Sequence, residues 1–136
     1  MYLEQLFHAE FSSILLRNYK DQFNELAWIN SNSYKFKYGN DGASTIKEQK
    51  ASQHFFHKWN NQGFLNEYAT SSLENDFNSF AKNIFTPKPR FDKLIEEYSA
   101  LANKNRLIIE FYNAIHDDFT KVYFKDILNY DEVKTK

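Results

Sequence analysis

Apolar residues fall at helical spacing from the start of the chain. Leu3, Phe7, Phe11 and Ile14 recur three and four residues apart, with Leu6 and Leu15 at the flanks, and predict a helix over residues 2–19. Phe23, Leu26, Ala27 and Trp28 continue as a short helical turn after Asn18. From Asn30 to about Ser52 the pattern fails. Tyr34, Phe36 and Tyr38 alternate briefly, and Gly39-Asn40-Asp41-Gly42 supplies turn chemistry. Irregular stretches of this length are uncommon in a compact domain unless they carry function or are disordered. Gln53 to Asn60 predicts another short helix, closed by Asn61-Gln62-Gly63.

The second half is more regular. Ser71 and Glu74 have the spacing of a capping box, in which hydroxyl and carboxylate satisfy orphan amides at a helix start. Phe77, Phe80, Ala81 and Ile84 give the stripe of that helix, ended by Thr86-Pro87-Lys88-Pro89. Pro89 suits the first position of the next helix, whose buried face is Phe91, Leu94, Ile95, Tyr98 and Leu101. Asn103-Lys104-Asn105 predicts a break before a further helix with Leu107, Ile108, Phe111 and Ile115. Phe119 to Leu128 is a last amphipathic stretch. The pattern predicts a mostly α, single helical domain over residues 1–130, irregular at about 30–62, with a frayed tail at 131–136.

Composition narrows the classes of function. The 136 residues suffice for one domain with a modest core, to which 14 Phe and nine Tyr contribute most of the bulk. Without cysteine, the chain can form neither a disulfide framework nor a thiolate metal site. Seventeen Lys and Arg against 18 Asp and Glu leave no excess charge to favour nucleic acid or an anionic membrane. No apolar run approaches the ~20 residues of a membrane span. The opening Met-Tyr-Leu-Glu-Gln has no basic region of a signal peptide, so a cytoplasmic location is expected if Met1 is the true start.

The opening helix reads Phe7-His8-Ala9-Glu10-Phe11-Ser12-Ser13-Ile14-Leu15. Downstream come Asn18-Tyr19, Phe23 to Trp28, Lys37-Tyr38-Gly39, Gly63-Phe64-Leu65-Asn66-Glu67-Tyr68-Ala69, Ser71 and Glu74-Asn75-Asp76-Phe77. In order and spacing these blocks resemble the zincin-like zinc-binding metallopeptidases of Bacteroidetes, over residues 3–85. That family carries His-Glu-x-x-His on its active-site helix, a Gly-Phe-x-x-x-Tyr-Ala approach, and a glutamate ligand in Glu-Asp-Phe-x-Glu. Two histidines four apart share a helix face and reach one zinc ion, and the glutamate beside the first polarises the bound water. Laid on this chain, the two histidines fall on Ala9 and Ser13, the third ligand on Ser79, and the general base on Glu10. Alanine offers no lone pair and a serine hydroxyl is a poor zinc ligand at neutral pH. The resemblance therefore implies a relic base without metal, and Tyr68, Asp76 and His8 beside the old cleft. The family builds a β-sheet before this helix, so the resemblance implies a fragment of a longer protein, a miscalled start, or the helical part retained alone; in the last case the first helix is expected to show uncovered apolar surface or to form a homo-oligomer. Relatives are often exported, so the chain is expected to be exported if a signal lies upstream.

The expectation for function is a catalytically inactive family member that binds a peptide or a protein partner, with no cofactor. The alternatives are an active metalloenzyme, holding zinc through His8, Glu10, His54 or His57 with Asp76, and a helical interaction module unrelated to zincins. Glu4 and His8 are four apart and could share a face, but about 100° around the helix from Ala9. His54 and His57 around Phe55-Phe56 read more simply as a solvated face, and His116 before Asp117-Asp118 as a helix end. Asp76 in a first helical turn favours the helix dipole whatever else it does.

Overall fold

The computed structural model describes residues 2–39 and 51–134, with side chains described for residues 3–39 and 51–127. Among the described residues, seven α-helices run α1 Tyr2–Asn18, α2 Glu25–Asn30, α3 His57–Asn60, α4 Leu73–Phe85, α5 Pro89–Glu97, α6 Ser99–Ile115 and α7 Lys121–Lys134. Short 3-10 turns at Lys20–Gln22 and Tyr68–Thr70 link them, and there is no strand among the described residues. The chain is thus mostly α. None of the described helices is long and apolar enough to cross a membrane. The turn expected at Asn40-Asp41-Gly42 lies outside the described residues.

The hub is α4. Phe77, Phe80, Ala81 and Ile84 are buried along it and pack against Trp28, Leu94, Leu101, Ile108 and Phe111 from α2, α5 and α6. Edge-to-face rings tie the layers together: Phe77 meets Phe111 at 5.3 Å and Trp28 meets Phe80 at 5.3 Å between centroids. The cap of α4 falls one residue later than the capping box predicts. Ser72 Oγ accepts from Asn75 N, while Ser71 Oγ donates to the Tyr68 carbonyl and accepts from Asn75 Nδ2. Pro89 opens α5 as expected.

Two expectations about helices need correction. The break placed at Asn103-Lys104-Asn105 falls instead at Tyr98, and α6 runs unbroken through those three residues. Polar residues there suggested a loop, but Lys104 is fully buried and has a partner waiting on α4. The apolar stripe of α1 also does not face the core. Leu3 is 78% exposed and Phe7 59%, while Phe11 and Ile14 also face solvent. The helix instead lays its small, polar face on α4. Ser12 is fully buried, donating to the Ala9 carbonyl at 2.7 Å and lying 2.5 Å from Asn78 Oδ1. Asn78 Nδ2 in turn donates to Ser13 Oγ at 2.7 Å. Small side chains let the two backbones approach, which a Leu or Phe face would prevent.

Gly63 joins α3 to the core with φ +98°. A Cβ there would stand 2.9 Å from the Ser31 carbonyl oxygen, so position 63 excludes any side chain without backbone movement. That tight passage leaves the Gly63 carbonyl aimed at Lys104, 2.6 Å away.

Candidate functional site

Two polar centres flank α4, one sealed and one open. The sealed centre is Asp76, fully buried in the first turn. Its Oδ2 accepts from Lys104 Nζ at 2.7 Å, Trp28 Nε1 at 2.9 Å and the Tyr38 hydroxyl at 2.5 Å. Lys104 is also fully buried; besides Asp76 it donates to the Gly63 carbonyl and lies 4.2 Å from the Phe64 ring centroid. Burial pushes the Asp76 carboxyl up and the Lys104 ammonium down, and their mutual attraction opposes both shifts. The Tyr38 phenol is held above its usual range, first by burial and then by the Asp76 charge. Asn32 Nδ2 donates to the Tyr38 oxygen and completes the chain. Asp76 Oδ1 is buried and accepts no bond. This network joins α2, α4 and α6 and the Phe36–Tyr38 segment.

The open centre lies where α1 crosses α4. Ala9, Glu10, Tyr68 and Ser79 line one cavity of ≈ 120 Å³, together with Leu6, Gln53, Asn78 and Lys82. Four residues singled out from sequence thus meet in one place, although 70 positions separate Ala9 from Ser79. Ser13 lies one turn further along, held by Asn78. The other two expected cleft residues are elsewhere. His8 stacks on Phe85 with ring centroids 4.4 Å apart, and Asp76 belongs to the sealed centre. His8 is half-buried, and burial lowers its pKa while Glu4 pulls the other way.

The donor set does not suit zinc. Ala9 has no ligand atom, Ser13 Oγ is engaged by Asn78, and Ser79 Oγ donates to the Asn75 carbonyl at 2.8 Å. Nor are the alternative ligands brought together. His57 Nδ1 bonds the Tyr98 hydroxyl at 2.5 Å, His54 is exposed, and no three His, Asp or Glu side chains converge among the described residues. His116 ends α6 as expected, accepting from Asp118 N.

Sequence reasoning missed Lys82 and Gln53. Lys82 is half-buried at the cavity wall, donates to Gln53 Oε1 at 2.6 Å, and has no carboxylate within 4 Å among the described residues. Burial lowers its pKa, and the nearby Lys88 charge adds to this. Its position three after Ser79 on one helix was the available signal. A larger cavity of ≈ 620 Å³ lies between α5, α6 and α7, away from all of these groups. It is lined by apolar Phe91, Ile95 and Phe124 and by charges of both signs, Asp92, Glu96, Lys121 and Lys125. None of the site residues singled out from the sequence lines it. Compared with known protein families, curated proteins and solved structures, the chain matches none.

Proposed function

We propose that this chain is a catalytically inactive relative of the zincin-like metallopeptidases, and that it binds a polypeptide segment in the cleft between α1 and α4. The observation that supports this reading is the meeting of Ala9, Glu10, Tyr68 and Ser79 around one cavity. By the resemblance, Ala9 and Ser79 fall on two of the family's three ligand positions, Glu10 on its general base and Tyr68 beside its cleft. A base at Glu10 without a metal has no activated water to use, so the chemistry remaining to the site is recognition. The uncovered apolar side of α1 borders the same cavity through Leu6 and offers contact area for a bound chain.

The test uses the full chain and a pool of synthetic 15-residue peptides, with and without added Zn²⁺. Peptides are expected to be retained intact on size-exclusion, and filling the cavity with Ala9→Trp is expected to abolish retention. Zinc-stimulated cleavage, read by mass spectrometry, would return the active metalloenzyme. Absence of retention in both conditions would leave only the helical module unrelated to zincins.

A further inference from the structure

The ammonium at the cleft has no counter-ion among the described residues. Lys82 is a half-buried ammonium whose one bond is to a neutral amide, Gln53 Oε1, and no described carboxylate lies within 4 Å. The cavity that both line measures ≈ 120 Å³, which is room for about four waters or one short acidic side chain. Glu10 stands on the same wall, exposed, and its charge disfavours an anion on its side of the cavity. Beyond Leu6 the surface changes character. Phe7 stacks on Phe11 at 5.6 Å, and with Leu3 and Ile14 they form a continuous exposed apolar strip.

From this arrangement we infer that the cleft selects an acidic side chain, Asp or Glu, followed by apolar residues: the carboxylate seats against Lys82 and Gln53, and the apolar residues lie along Leu6, Phe7 and Phe11. The inference rests on the proposed binding cleft and adds its specificity. An unpaired ammonium in a partly dry wall gains more from a carboxylate than from a neutral amide of the same shape, because the amide leaves the charge without a counter-ion. The strip supplies apolar contact that needs no particular sequence. Charge thus sets the choice and the strip adds to the affinity.

The experiment is a positional array of peptides with every residue type in turn at one central position, followed by Leu-Leu-Phe. The wild-type chain is expected to prefer Asp or Glu over Asn or Gln at that position by about tenfold. Lys82→Met is expected to erase the preference while still binding the neutral peptides, and Lys82→Arg to keep part of it. Folding of both variants is checked by thermal melt; loss of a half-buried unpaired charge should not lower that of Lys82→Met. Binding without acidic preference overturns the inference and leaves the cleft intact as a binding site. Absence of binding to any peptide in the array overturns both.

Discussion

The two ends of α4 treat charge in opposite ways. Near its start, Asp76 is closed over by α2 and α6, and its one ionised partner, Lys104, reaches it from 28 residues away. Near its end, Lys82 borders a cavity open between α4 and α1 and, among the described residues, bonds a neutral amide and no carboxylate. The first arrangement satisfies a charge within the fold, at the expense of burying two. The second leaves a charge for something outside the fold to satisfy. That contrast separates a structural network from a recognition site more sharply than residue type does, since both centres are built from an ionisable group, a tyrosine and an amide.

Breaking the sealed side should have the largest effect. Lys104→Met strands the Asp76 carboxylate in an apolar interior, and urea unfolding is expected to show a loss of about 3–5 kcal/mol. The double variant Asp76→Leu with Lys104→Met should recover most of it. If the single variant lost under about 1 kcal/mol, the pair would not be holding the helices together. Next comes the small face of α1. Ser12→Leu overfills a fully buried contact with α4 and should cost about 1–3 kcal/mol, opening the cleft as it does so. Trp28→Phe keeps the ring in the core but removes the indole donor to Asp76; a loss of about 1–2 kcal/mol is expected.

The open side should be insensitive by the same measure. Lys82→Met is expected to leave the melting temperature unchanged or slightly raised, because the ammonium it removes is disfavoured by burial. A marked fall would mean that Lys82 serves the fold as Lys104 does. The smallest effect concerns His8. Its folded pKa is lowered, so its contribution is fully present above the ordinary imidazole range. It is lost as pH falls through that range toward the folded value. A melt series from pH 8 to pH 5 should show a shallow decline that His8→Phe makes shallower still.

Much of the fold was legible because α4, α5 and α6 carry dense apolar stripes that end in cores. On α1 the stripe was equally clear, yet it marked the solvent face. Periodicity locates apolar side chains along a helix and says nothing about what covers them. Here the intimate contact is made by Ala9, Ser12 and Ser13, which a hydrophobic pattern passes over. Lys104 hid for a related reason: between two asparagines it reads as a loop, and only a carboxylate distant in sequence makes a buried lysine tenable. Asp76 was noticed but explained by its place in a first turn, a true but minor part of its role. Within the cleft, Ala9, Glu10, Tyr68 and Ser79 were reached through family resemblance rather than pattern. Lys82 and Gln53 come from segments 29 residues apart and were found only in three dimensions.

The most direct test of the account is amide chemical-shift mapping of the ¹⁵N-labelled full chain against the peptides that the array selects. The account predicts perturbations centred on Leu6, Glu10, Gln53, Ser79 and Lys82, spreading to Phe7 and Phe11 and sparing Lys104 and Asp76. Perturbations confined to the cavity between α5, α6 and α7 would contradict it.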